Sequence, residues 1–449
     1  MARILCAWEF GAGLGHLTRL LPVARRLHDA GHDITLAVPN TDAAKPVLEK
    51  NFPDADGPFG LTVIPGTQWK IPTNDPDLRK KPTHVLADVL QLFHYQEPTL
   101  LEKQTRVWKR IVDKVDPDLI VADFAPTLRL AYWGHARFAM TGNGYTVPPA
   151  GRMLPPIKPW QERLHPFSRM HEAGVLMGMN RVRQNLGGPP VHYVGDMLNG
   201  DRSFICTINE FDPYRPHRRE PTLVPFNVPQ IDQSPTIEER GGERAPVFIY
   251  LPHNHPQLRD VLHLASRLTV PVHVYVSGAP AEKVAAICGQ NVAVHRKPLN
   301  FQDDLWKFRA IIHHAGLATA YAAIKAGTPQ LLLPVHLEHA ITARGAVDLA
   351  GAISLGSQDN PTVELIEQAL SRLLTDRAIW QRAHKAAVEV RQRPEMDSVS
   401  HVVEGCLAML DEGIKRREAY DQAQAKQAEA TETMEATAAD DDDIDKIIA

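Results

Sequence analysis

Between residues 309 and 343 the chain alternates in a way that few folds accept. A short strand-like run, Arg309 to Ile312, ends in His313-His314-Ala315-Gly316 and passes directly into a helical pattern from Ala318 to Lys325. Gly327-Thr328-Pro329 closes that helix, and Gln330 to Leu333 is a second apolar strand. A helical crossover between two buried strands makes them parallel members of one sheet. In such a unit the turn after the first strand abuts a helix N-terminus, where free N–H groups and the helix dipole favour a phosphate. His314 and Thr319 bring further N–H and O–H donors to that turn. One strand later, Glu338 and His339 emerge on the same rim of the sheet, a place for ligand hydroxyls.

The first forty residues repeat the theme. Arg3 to Trp8 reads as a buried strand and Gly11-Ala12-Gly13-Leu14-Gly15-His16 as a turn. Leu17, Leu20, Leu21, Ala24 and Leu27 then recur at helical spacing until Gly31, and Ile34 to Val38 is the next strand. The glycines follow GxGxG rather than GxGxxG, and no acidic residue ends the second strand, which weighs against a dinucleotide cofactor. They do allow a tight turn that leaves open space above the sheet, with His16 at the helix start. Alone, His16 reads more readily as an ordinary helix-end residue. Helical segments at 84–95 and 100–114 lead to Pro117-Asp118-Leu119-Ile120-Val121-Ala122-Asp123, which brings Asp123 to the rim where His16 lies. Asp123 alone can be the N-cap of the following helix. Together, a carboxylate beside an imidazole fixes its tautomer and stabilises its protonated form, as a general base requires.

Both halves resemble glycosyltransferases of the GT-B fold, of the UDP-glycosyltransferase (family 1-like) type. In the second half the family frame, His-Gly-Gly-x-Gly-Thr and its continuation, is met by His314, Gly316, Thr319, Ala323, Gly327, Pro329, Pro334, Glu338 and Ala343. The chain departs from it at Ala315 and Ala318, which replace glycines, at His339 for a Gln, and at Thr342 for an Asn. Ala322 stands where the family has a ribose-binding Glu, which implies poor discrimination between ribose and deoxyribose donors. In the first half the likeness rests on the glycine turn with His16, on the strand ending at Asp123, and on Gly142-Asn143-Gly144-Tyr145-Thr146-Val147-Pro148-Pro149. The resemblance implies an α/β protein of two doubly wound Rossmann-like domains facing a cleft. His16 is then the catalytic base and Asp123 its partner, with His314, Gly316, Thr319, Glu338 and His339 on the donor. It covers roughly 1–150 and 245–355.

Composition narrows the remainder. A chain of 449 residues, 44% hydrophobic, builds two ordinary cores. A net charge of −4 gives no electrostatic case for nucleic acid. Four cysteines without CxxC spacing suit a reducing cytoplasm, and neither a signal peptide nor a membrane-length apolar run is visible. The expected division is an acceptor-binding domain at 1–211, a Pro-, Arg- and Glu-rich linker at 212–245 and a nucleotide-sugar domain at 246–397. A helix at 398–427 crosses back to the first domain, and a disordered acidic tail at 428–449 follows. Met153, Trp160, Met170, Met177 and Met179 lie among basic residues at 151–200. They suit an adaptable surface for a hydrophobic acceptor or a peripheral membrane contact, or else an ordinary helical hairpin. The reading is an inverting transfer from a nucleoside-diphosphate sugar, UDP-linked by preference, to a small hydrophobic acceptor. The nucleotide-sugar is a co-substrate, no cofactor is required, and no folded DxD motif points to a metal. A non-catalytic nucleotide-sugar-binding protein, a nucleotide-sugar epimerase and a two-carboxylate glycosidase are the rivals.

Overall fold

A computed structural model describes residues 1–11, 15–52, 61–69, 83–161, 163–226, 228, 231, 245–356, 361–394 and 397–448. The first domain runs β1 (Arg3–Trp8), α1 (Gly15–Asp29), β2 (Asp33–Val38), α2 (Thr41–Asn51), β3 (Thr62–Pro65), α3 (Leu86–Leu92) and α4 (Pro98–Val115). It continues with β4 (Leu119–Asp123), α5 (Pro126–Ala131), β5 (Arg137–Gly142), α6 (Pro166–Asn185), β6 (Arg202–Cys206) and β7 (Thr222–Leu223). The second domain holds β8 (Val247–Pro252), α7 (Leu258–Ala265), β9 (Val272–Ser277), α8 (Ala281–Ala285), β10 (Val292–Val294) and α9 (Phe301–Asp304). Then come β11 (Ala310–His313), α10 (Leu317–Lys325), β12 (Gln330–Leu332), α11 (Leu337–Ala350), β13 (Ile353–Ser354), α12 (Val363–Thr375) and α13 (Arg377–Arg391). A last helix, α14, spans Ser398–Ile448.

The strand orders are β3-β2-β1-β4-β5-β6-β7 and β10-β9-β8-β11-β12-β13, with every described pairing parallel. Each order reverses between two central strands, β1 and β4 in one sheet and β8 and β11 in the other. Ligands of open α/β sheets bind outside the carboxyl ends of the strands at that point. Central strands covered on both faces must be apolar throughout, which is why Leu119–Ala122 and Ala310–Ile312 are fully buried. Helix α1 presents Leu17, Leu20, Leu21, Ala24 and Leu27 to the first core.

Three expectations change. The linker expected at 212–245 is not wholly outside the first sheet: within it, Thr222–Leu223 adds β7 beside β6. The segment before β7 is fixed by a fully buried ion pair, Arg218 Nε to Asp212 Oδ2 at 2.6 Å, and Arg218 also donates to the Val147 carbonyl at 2.7 Å. At the C-terminus the helix does not stop at 427 but runs to Ile448. Ala and Glu dominate residues 427–439, and both favour helix over coil. At 151–200 there is one long helix, α6, not a hairpin. Met153, Phe167, Met170 and Met177 are exposed there, whereas Met179 and Met197 are buried. Among the described residues no helix is long and apolar enough to cross a membrane.

As expected, α14 returns to the first domain. Val402, Val403, Cys406, Met409 and Leu410 join the core formed by β1, α1 and β4. Arg417 pairs with Asp118 at 3.1 Å and Arg137 bonds Glu412. The domains also meet where Phe211 and Ile208 enter a cluster with Tyr321 and Ile324, beside an Arg393–Glu210 pair at 2.8 and 3.0 Å.

Candidate active site

Strand β1 ends at Trp8, which lies in register with Asp123 at the end of β4. Residues 12–14 of the expected glycine turn lie outside the described residues; α1 begins at Gly15 and sets His16 above that rim. Its Nδ1 is 2.9 Å from Asp123 Oδ1, and its ring stacks on Trp8 with centroids 5.5 Å apart. His16 and Asp123 are both buried. Gly11, at φ +109°, leaves the other ring nitrogen open: a Cβ added there would overlap His16 Nε2. A glycine is thus required twice over, for the backbone angle and for the space. Phe124, directly after Asp123, sits at φ +46°, and its carbonyl accepts from the Phe10 N–H at 3.1 Å.

A residue that sequence reasoning missed completes this group. Arg19 lies one helical turn after His16, so both side chains share a face of α1. Its Nε donates to Asp123 Oδ2 at 2.7 Å, and its Nη2 lies 3.1 Å from Asp123 Oδ1 and 2.8 Å from His16 Nδ1. Burial works against the Asp123 charge, but Arg19 and then His16 more than offset it and hold the carboxyl below its ordinary range. The i,i+3 spacing was visible in the sequence. Arginine on a helix is too common for that spacing to signal a site.

Glu9, next to this rim, is buried and accepts from Trp69 Nε1 at 2.8 Å, Thr67 Oγ1 and Trp108 Nε1 at 3.0 Å, and the Thr127 N–H at 2.9 Å. Burial pushes its carboxyl up, and these donors, with the N-terminus of α5, pull it back. It ties the end of β1 to three neighbouring segments, and Phe10, Phe93, Tyr95 and Phe124 form a buried aromatic cluster beside it.

Across the cleft, β11 delivers His313 and His314. His313 faces the interior, where Nε2 bonds Gln330 Oε1 at 2.9 Å and Nδ1 accepts from the Ala315 N–H at 3.2 Å. His314 is only half-buried, and its Nδ1 has no hydrogen-bond partner among the described residues. Burial, then the neighbouring His255 and His336, lowers its pKa to about 4, so it is a neutral imidazole at physiological pH. Ala315 stands at φ +64°, the conformation that makes glycine natural at this position. Gly316 is the N-cap of α10, and no side chain caps that helix. The first N–H groups of α10 therefore lack intrahelical partners, and Thr319 lies in that first turn.

Glu338 and His339 begin α11. The His339 ring lies 4.8 Å from that of His314 and 3.6 Å from that of His336. Burial and the surrounding histidines drive its pKa well down, so it too is neutral. Glu338 reaches over to the first domain, where its Oε1 accepts from Asn143 Nδ2, and its charge acts on Arg19 and Tyr145. All seven expected site residues thus lie on the two facing rims, and the bond from Asn143 to Glu338 links one rim to the other. His255, from the Pro252–His255 turn, is structural: its Nε2 bonds the Leu333 carbonyl at 2.9 Å.

Ala322 needs a correction. It is fully buried in a cluster with Phe248, Leu305, Phe308 and Ile311, so it is a core residue and not a vacant place on the cleft. A glutamate there would put a carboxylate into apolar surroundings.

Comparison with known proteins agrees with this architecture. Residues 260–409 match the family model of the erythromycin biosynthesis protein CIII-like C-terminal domain. Over 85 residues the chain is 33% identical to the elloramycin glycosyltransferase ElmGT of Streptomyces olivaceus, a stretch covering 19% of this chain and only 20% of that relative. The solved structure of the kitacinnamycin glycotransferase superposes with a TM-score of 0.61 at 16% identity, covering 91% of this chain and 99% of the other. Glycosyltransferase VinC in complex with dTDP does so at 0.58 and 17%, covering 91% and 99%. At these identities the likeness establishes the fold. It is GT-B.

Proposed function

We propose that the chain transfers a sugar, with inversion at the anomeric carbon, from a nucleoside-diphosphate donor on the second domain to a small apolar acceptor on the first. The observation that carries this reading is one juxtaposition: a His–Asp pair on one rim faces an uncapped helix N-terminus with neutral imidazoles on the other. His16 Nε2 takes the proton of the acceptor hydroxyl while Asp123 accepts from Nδ1–H and stabilises the imidazolium. The acceptor oxygen bonds to the anomeric carbon as that carbon's bond to the β-phosphate oxygen breaks. The diphosphate then carries the developing charge toward the N–H groups of α10, His314 and Thr319. Fixed donors already aimed at that charge need no reorganisation, so they can act without a metal ion.

Phe10, Phe93 and Tyr95 are buried core residues that fix the His16 rim, so the apolar acceptor rests on the exposed Met153, Met170 and Met177 of the first domain. The resemblance points to a uridine donor, and dTDP in the VinC neighbour adds thymidine as the second candidate. A binding protein or an epimerase leaves the His16–Asp123 pair on the opposite domain without a task, which favours transfer. The test is a thermal-shift screen with UDP, dTDP and their sugars, followed by turnover in EDTA. A ligand at a hundred times its dissociation constant stabilises by about 2.7 kcal/mol. The reading expects a clear upward shift and EDTA-resistant turnover. No shift with any nucleotide overturns the donor site, and activity lost in EDTA and restored by Mg²⁺ overturns the metal-free mechanism.

A further inference from the structure

His16, Asp123 and Arg19 cannot all be satisfied at once. A neutral imidazole has one proton, and Nδ1 lies 2.9 Å from a carboxylate oxygen and 2.8 Å from a guanidinium nitrogen. If Nδ1 carries the proton, it donates to Asp123, and an N–H donor of Arg19 faces another donor. If Nε2 carries it, Arg19 donates to Nδ1, and the Asp123 contact becomes one between two acceptors bridged by the guanidinium. Arg19 already holds both carboxylate oxygens through Nε and Nη2, and its side chain is only 16% exposed. Either arrangement makes three hydrogen bonds and leaves one repulsive contact; the second keeps the shorter of the two contacts at Nδ1, 2.8 Å to the guanidinium against 2.9 Å to the carboxylate. It leaves His16 with its proton on Nε2, where it cannot accept one from an alcohol.

We propose that Arg19 is a positioning residue that keeps the His16 base masked until an anionic donor enters the cleft and draws the guanidinium away from Nδ1. Three features make that exchange physically available. Arg19 is on the cleft side of α1, close enough to Glu338 of the opposite rim to feel its charge. Glu338 opens α11, in the donor site itself. Among the described residues the other titratable group acting on Arg19 is the Cys206 thiol, which burial keeps protonated, so it does not compete for the guanidinium. A diphosphate offers a charge-assisted acceptor of the kind Arg binds best. Once Arg19 turns toward it, Asp123 is left to His16 alone, Nδ1 takes the proton, and Nε2 becomes the base. Donor binding would then precede activation, so that no active base meets the acceptor without a donor present.

This rests on the donor reading above, and the test separates the two. The ¹⁵N resonances of the His16 ring, assigned by their loss in His16→Ala, report which nitrogen is protonated, without turnover. The free wild-type protein should show unprotonated Nδ1, and saturating UDP or dTDP should convert it to Nδ1–H. Arg19→Gln should show Nδ1–H from the outset, with no change on adding nucleotide. Arg19→Lys keeps a cation beside Asp123 but lacks the fork that reaches Nδ1 as well, so it should behave like Arg19→Gln even if that variant folds poorly. Nδ1–H in the free wild type, or unprotonated Nδ1 in the folded lysine variant, overturns the proposal. If the variants show the expected tautomer but no nucleotide shifts the wild type or its melting temperature, the donor reading fails, and with it the donor trigger. Masking by Arg19 would then stand alone.

Discussion

A single methyl group at Gly11 would decide whether His16 can work. Its φ of +109° and the overlap of an added Cβ with Nε2 leave the imidazole nowhere to go but out of line. Displacing a catalytic group by about 1 Å costs roughly 10²-fold in rate. Gly11→Ala should therefore lower kcat by about that factor while calorimetry finds donor affinity unchanged; an unaffected kcat would mean that His16 works from another position. The histidines opposite make a pH prediction. His314 is lowered from 6.5 to about 4 and His313 to about 3, both chiefly by burial. Between those values and 6.5 the unfolded chain binds more protons than the folded one, so stability falls as pH drops through that window. In urea titrations from pH 7 to 4.5, His314→Gln should lose about one proton's share of this slope. Identical slopes would show that His314 is not held neutral by the fold. At this scale the sequence disclosed residues whose place is set by a strand end, His16, Asp123 and His314. Arg19 was hidden because its role depends on a partner more than a hundred residues away, and Ala322 was misplaced because a motif position does not reveal which way a helix face turns.

Among the elements, the long helix α14 separates two kinds of sequence. Its first turns bury Val402, Val403, Cys406, Met409 and Leu410 in the first domain, and each such side chain is worth about 1.5–3 kcal/mol. Their sum rivals the whole stability of a domain. Ending the chain at 397 should abolish cooperative melting of the first domain. Ending it at 428 should change the melting temperature little, because the later residues have no apolar stripe to bury. A drop of many degrees for the shorter deletion would show that the last turns dock. Strands β1, β4, β8 and β11 were readable because a strand covered on both faces must be an apolar run. Helix α2 and strand β3 carry no such mark: α2 contains Pro46, and β3 is a four-residue edge strand without a buried residue. The reach of the last helix beyond 427 was misjudged because low hydrophobicity argues against packing, whereas Ala and Glu still favour helix.

For the whole molecule, the proposed reaction needs two rims that neither domain supplies alone. Asn143 and Glu338 bridge them, and the Arg393–Glu210 pair and the Phe211–Tyr321 cluster hold the domains together behind the cleft. That arrangement was legible because strand–helix alternation with glycine turns occurs twice, and each turn marks the reversal point of its own sheet. The contacts that bring the rims together were not legible, since they join residues with no pattern in common. The central claim is that a base on one rim acts on a sugar donor held by the other. Its most direct measurement is acceptor-dependent release of nucleoside diphosphate by wild type and His16→Ala, with donor affinity measured calorimetrically on both. Removal of a general base lowers rate by roughly 10²–10⁴-fold. The account predicts a loss of that order in His16→Ala with donor affinity preserved; wild-type release rates from His16→Ala with an alcohol acceptor would contradict it.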